Sequence, residues 1–114
     1  MKSKLKKDLN DKRIASICNN IFFLHKQEDI KCDTYIEYEI LKKKYYNYAG
    51  NKNFDEDYII QVDIFSKSNY FNLEKVLTDV LEEKGYYFLE SADLYEDDTK
   101  LYHNASRWRY TILK

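Results

Sequence analysis

Apolar and polar residues alternate most regularly between Tyr58 and Lys67, which read Tyr-Ile-Ile-Gln-Val-Asp-Ile-Phe-Ser-Lys. Tyr58, Ile60, Val62 and Ile64 share one face of an extended chain, and Ile59, Gln61, Asp63 and Phe65 share the other. Alternation with a period of two predicts a strand with one face against a core. Thr34 to Leu41 repeats the pattern, with Ile36, Tyr38 and Ile40 set against Glu37 and Glu39, as in an antiparallel strand with one covered side. Lys42 to Tyr48 can extend that strand. Gly50 to Asp57 is rich in turn residues and links the two strands as an antiparallel hairpin with a long tip. After a polar break at Ser66–Asn69, the period changes. Leu73, Val76, Leu77, Val80 and Leu81 follow helical spacing and predict a helix from Phe71 to Lys84. Asn69 or Asn72 offers an N-cap oxygen, and Gly85 stands where a left-handed C-cap is expected. Tyr86 to Tyr95 reads as a strand, bent near Ser91-Ala92, and Glu96 to Lys100 as a polar turn. The closing strand puts Tyr102, Trp108, Tyr110 and Ile112 on one face and His103, Arg107, Arg109 and Thr111 on the other. At the N-terminus, Leu5, Leu9, Ile14, Ile17, Cys18, Ile21 and Leu24 recur at spacings that predict a helix from Lys4 to His25. A polar connection, Lys26 to Cys32, follows it.

The resulting order, α-β-β-α-β-β, predicts an α+β fold. Its economical packing is a four-stranded, mostly antiparallel sheet with two helices on one face. The 114 residues form one domain, with 1–32 as N-terminal helix and connection and 33–114 as sheet plus second helix. The far side of the sheet is expected to meet water. It carries Glu37, Glu39, Gln61, Asp63, Arg107 and Arg109, whose mixed signs allow cross-strand pairing.

Charge narrows the function classes. The formal net charge is -1, which disfavours direct readout of nucleic acid, because counterion release requires a basic surface. Lysines crowd the first thirteen residues, but Asp8 and Asp11 interrupt them, as on a solvated helix face. No apolar run is long enough to span a bilayer, so no membrane partner is expected. No signal-peptide pattern opens the chain, so Cys18 and Cys32 are expected as free thiols in a reducing compartment. Twelve tyrosines suit a protein interface with a wet edge.

Candidate chemistry is sparse. His103 with Asp93, Glu96, Asp97 and Asp98 has the residue types of a metal or acid–base cluster, but the acids fall in and beside a turn, where Asp serves local hydrogen bonding. His25 lies too far along the chain to complete the set. Ser66, Ser68 and Ser106 lack a nucleophile elbow, and neither glycine belongs to a phosphate-cradling loop. Neither a cofactor nor an enzymatic activity is expected. The tyrosine–lysine patch from Lys42 to Tyr48 offers either stacking for single-stranded nucleic acid or a protein contact. Arg107 and Arg109 flank Trp108 as salt-bridge partners or interface anchors.

Three stretches together, "YIIQVDIFSK", "NLEKVLTDVLEEKGY" and "LYEDDTKLYHNASRWRYTI", resemble the small tail-completion, or tail terminator, proteins of long-tailed phages and prophages. Tyr58, Gln61, Asp63 and Phe65 are similar to that family's aromatic-x-x-Gln-x-Asp-x-aromatic strand. Tyr102, His103, Arg107, Trp108 and Tyr110 are similar to its closing Tyr-His and Arg-aromatic motif. The similarity runs from about Thr34 to Ile112, and the N-terminal helix matches only in kind. The resemblance implies a non-enzymatic virion protein at the tail–neck junction, assembled in the bacterial host cytoplasm. It would form a ring of copies, usually a hexamer, that ends the tail tube and joins it to the head. The partners implied are further copies of itself, the tail tube protein and a neck or head-closure protein. On this reading Tyr45, Tyr46 and Tyr48 are candidates for contact with the tube or a neighbour. Arg107 and Arg109 are candidates for pairing across a subunit boundary or lining the lumen. The alternatives are a neighbouring neck or head-closure protein and a small single-stranded nucleic-acid-binding module.

Overall fold

A computed structural model describes residues 1–46 and 55–113. In chain order the elements are α1 (Lys2–Leu9), α2 (Lys12–Ala15), β1 (Ile21–Phe23), β2 (Thr34–Tyr46), β3 (Asp55–Ser66), α3 (Phe71–Glu83), β4 (Tyr87–Glu96) and β5 (Leu101–Ile112). The strands form one sheet in the order β1-β2-β3-β5-β4, and every pairing is antiparallel except that of β1 with β2. The fold is α+β, with five strands and three helices among the described residues rather than four and two.

The difference arises at the N-terminus, where the expected single helix from Lys4 to His25 breaks twice. Asn10 and Asp11 bond the backbone through their side chains and so favour helix ends over interiors. Asn10 Nδ2 donates to Lys6 O at 2.7 Å, and Asp11 Oδ1 accepts from Arg13 N at 2.9 Å, which ends α1 and starts α2. The second break follows Cys18. Asn20 Nδ2 donates to Thr34 O, and Ile36 N donates to Asn20 O, so the chain is drawn alongside β2. Ile21, Phe22 and Phe23 then pair with Ile36, Glu37 and Tyr38 as a parallel strand. The apolar stripe misled because only part of it is core: Leu5, Leu9, Ile14 and Cys18 are buried, whereas Ile17 and Leu24 are exposed.

The remaining elements follow the periodicity. Leu73, Leu77, Val80 and Leu81 of α3 are buried against Ile36, Tyr38, Tyr58, Ile60, Val62, Ile64 and Trp108 of the sheet, and α1 and α2 complete the same layer. Asn69 Oδ1 accepts from Phe71 N at 2.8 Å at the start of α3. Gly85 closes its end at φ 98°, with Tyr86 N donating to Leu81 O and Gly85 N to Glu82 O, the paired bonds of a Schellman ending. β2 takes the extension as far as Tyr46, and β3 starts earlier than expected, at Asp55, so the two pair from Thr34–Ser66 out to Tyr46–Asp55. The irregularity in β4 lies between Phe88 and Glu90, not at Ser91-Ala92. Most of the expected hairpin tip, including Tyr48 and Gly50, lies outside the described residues.

Candidate functional site

The face of the sheet turned away from the helices holds a connected polar row. Arg107 Nε donates to Gln61 Oε1 at 3.1 Å. Gln61 Nε2 donates to both oxygens of Asp63, at 3.0 and 3.2 Å. His103 Nε2 lies 2.9 Å from Asp63 Oδ1. Arg107 also reaches Glu90 of β4 at 3.5 Å. Two pairs of residues some forty positions apart in sequence are thus joined because β3 and β5 pair in a register that sets Gln61 beside Arg107 and Phe65 beside His103. The His103 ring stacks on Phe65 with centroids 4.1 Å apart, Phe65 stacks on Tyr35 at 4.8 Å, and Phe22 meets Tyr35 edge-on.

This face is drier than expected. Glu37 and Asp63 are only 8% and 7% exposed: the 24–33 connection folds back beside Glu37, and Gln61 and His103 flank Asp63. Lys26 N donates to Glu37 Oε2 at 2.8 Å, and Lys26 Nζ sits 5.3 Å from the Tyr35 ring centre. Tyr35, Phe65 and Leu101 form a second small core there, with Phe22 and Cys32 against it. Burial, with Glu37 and Glu96 nearby, pushes the Tyr35 phenol up to about 12, so it stays protonated. The signal for this cover was present in the sequence. Tyr35 and Phe65 interrupt the polar face, and Ile30 and Cys32 interrupt the connection assigned as polar.

Of the motif residues, Gln61, Asp63, Phe65, His103 and Arg107 meet on this face. Tyr58, Trp108 and Tyr110 point the other way, under the helices. Trp108 is fully buried, and its Nε1 donates to Ser106 Oγ at 2.9 Å, which in turn donates to Val62 O. Lys4 lies over the rings of Tyr86 and Tyr110. Tyr102 is on the helix side but exposed, with its ring against Tyr70 and Tyr95. Arg109 Nε donates to Asp57 Oδ1 at 2.8 Å, and that bond, ahead of one from Thr111, holds the Asp57 carboxyl below the usual range. Tyr45 is exposed near the end of β2, with Lys43 4.8 Å from its ring centre.

The acids once grouped with His103 do not converge on it. Register pairs Leu94 with His103 and Asp93 with Asn104, so Asp93 points to the helix side. There Tyr70 OH and Asn104 Nδ2 donate to Asp93 Oδ1 at 2.6 and 2.9 Å, which lowers the Asp93 pKa. Tyr70 is raised by burial and by this bond, and Glu74 is raised by burial and by Asp93. A cleft of about 510 Å³ opens beside this group, lined by Lys67, Ser68, Asn69, Tyr70, Phe71, Asp93 and Tyr102. Periodicity gave no hint of the group, because it depends on which β4 residue faces which in β5. Among the described residues, no set of three or more His, Cys, Asp or Glu side chains is grouped to hold a metal. No described helix is long and apolar enough to cross a membrane.

Known structures include similar folds. The fold is similar to that of a chain in the "Virion of native gene transfer agent (GTA) particle", with a TM-score of 0.63. The match covers 92% of this chain and 88% of that one, at 8% sequence identity. No family model matches the sequence, and no curated protein matches it.

Proposed function

We propose that this protein is a structural component of a phage-like virion: a ring of identical copies that caps the head-proximal end of a tail tube and presents a docking surface to the neck. The observation that carries the reading is the near end-to-end fold likeness to a chain of a gene transfer agent virion. The residues support it. Arg107, Gln61, Asp63 and His103 use their hydrogen bonds on one another, which stiffens a face rather than arming a reaction centre. Most of the large apolar side chains left exposed, Phe71 and Ile17 apart, lie on strands and strand ends, where protein contacts form. Head-to-tail contacts between copies close into a ring, and a ring multiplies a modest patch into firm attachment.

In this assembly Tyr45, Tyr46 and Tyr48 contact the tube or a neighbouring copy. Arg107 and Arg109, each with a half-exposed side chain, line the lumen or meet a neighbour's acids as well as their own. The chain works by shape at the tail–neck junction, with no bond made or broken. The test is electron microscopy of tails assembled with and without its gene. Overlong tails, joined to heads or not, are expected in its absence, and tails of normal length joined to heads would remove the reading. Tails of normal length that fail to join would move the assignment to a neighbouring neck protein.

A further inference from the structure

We infer that the two borders of the sheet pair with each other between copies: β4 of one protomer lies antiparallel beside residues 40–44 of β2 in the next. The inference rests on the ring reading in taking a second copy as the partner. β4 is a ten-residue edge strand whose residues are exposed on both faces as far as Tyr95, with Tyr87, Phe88, Leu94 and Tyr95 among them. A long edge with such side chains invites another strand. At the opposite border β1 covers only Ile36, Glu37 and Tyr38 of β2. Beyond it, among the described residues, no strand lies outside residues 40–44.

Charge and direction make these borders complementary. β4 carries Glu90, Asp93 and Glu96, while the open part of β2 carries Lys42, Lys43 and Lys44. The faces match as well. Glu90 and Glu96 stand opposite Arg107 and Leu101 on the far face, and Lys42 and Lys44 stand opposite Ile59 and Asp57 on that same face. Asp93 and Lys43, opposite Asn104 and Tyr58, lie on the helix face. Strand sense alternates from β2 through β3 and β5 to β4, so an adjoining copy in the same orientation presents its β2 antiparallel to β4.

One register satisfies all three charge pairs. With Asp93 opposite Lys43, Glu90 falls diagonal to Lys44 and Glu96 diagonal to Lys42, within reach of long side chains. Asp93 is level with Ile64 of β3 and Lys43 with Tyr58, so this register staggers successive copies by six residues (58 to 64). Across the four strands from β2 to β4 that is a slant of roughly 45°, at the steep end of the tilt of closed sheets.

The test is charge reversal read by sedimentation velocity, with circular dichroism confirming folding. Lys42→Glu/Lys44→Glu and Glu90→Lys/Glu96→Lys should each weaken the self-association of the wild-type protein by roughly tenfold or more. An equimolar mixture of the two should restore it, since each variant then supplies the edge that the other has lost. Should Glu96→Lys disturb folding, because Thr99 bonds Glu96, Glu90→Lys alone takes its place. Variants that associate like the wild type, or a mixture that stays dissociated, would overturn the edge pairing and leave the ring reading intact. A wild-type chain that remains monomeric at every concentration, and uncrosslinked on isolated tail tubes, would overturn both.

Discussion

Asp63 is where the far-face network can be measured. Its carboxylate is almost fully buried and accepts from Gln61 and from the neighbouring His103. Asp63→Ala removes both bonds and leaves two polar side chains facing a methyl group. Bonds to a charged acceptor are worth about 1.5–3 kcal/mol each, so the upper bound for the two is about 6 kcal/mol. Two effects reduce it. The His103 side chain is 15% exposed, so water can reach the vacated space. Glu37 stands directly opposite Asp63, and losing one of two facing carboxylates gives back up to about 1 kcal/mol. The net expectation is a loss of about 2–3 kcal/mol, a fall in the urea midpoint on the order of 2 M. Asp63→Asn should cost only about 1 kcal/mol, because an amide can accept from Gln61 while donating to the other His103 tautomer. The assay is equilibrium unfolding followed by the fluorescence of Trp108, the one tryptophan and wholly buried. In a double-mutant cycle, Asp63→Ala with His103→Leu should show coupling of about 1–2 kcal/mol. If Asp63→Ala is as stable as the wild type and the cycle is additive, the network does not hold the sheet together and this reasoning fails.

Two further outcomes follow from single contacts. Gly85→Ala places a side chain at φ 98° with its Cβ 3.4 Å from the Tyr110 ring, and should destabilise by about 1–3 kcal/mol in the same urea assay. Tyr70→Phe removes the leading cause of the depressed Asp93 pKa. A carboxyl lowered on folding adds stability above its unfolded value, near 4, and loses it as pH falls through the folded value. The acid limb of a stability–pH profile should therefore be shallower below about pH 4 in Tyr70→Phe than in the wild type, and identical slopes would contradict the assignment.

Period and punctuation made β2, β3, α3 and β5 legible, because each buries one face and the burial is local in sequence. Asn69 and Gly85 mark the ends of α3 for the same reason: each satisfies backbone groups within a turn of itself. The N-terminal third departs from the expectation because Ile17, Ile21 and Leu24 keep the helical spacing of Ile14 while the backbone leaves the helix after Ala15. What decides there is whether Asn10, Asp11 and Asn20 bond the main chain, and spacing carries no record of that. Gln61, Asp63, Phe65, His103 and Arg107 could be named from the resemblance to tail-completion proteins. That they form one row depends on the β3–β5 register, and the Tyr70–Asp93–Asn104 group depends on the β4–β5 register. Both are set by partners tens of residues away.

The two faces of the sheet carry different burdens, and this bears on which surfaces are free for assembly. The helix face is committed to the core. Trp108, Ile60 and Val80 leave no room for a partner there. Much of the far face is committed too, with Asp63 and Glu37 satisfied from within the chain and Tyr35 and Phe65 covered by residues 24–33. A protein that binds others through its sheet must then do so at the borders. It is at the borders that exposed aromatic and leucine side chains collect on β4, and that lysines follow one another along β2. Under the proposed edge pairing, a scaffold with a sealed middle and two unlike edges would add copies head to tail. Each copy added would cover an edge that the monomer leaves in water, and addition would stop when the last edge meets the first.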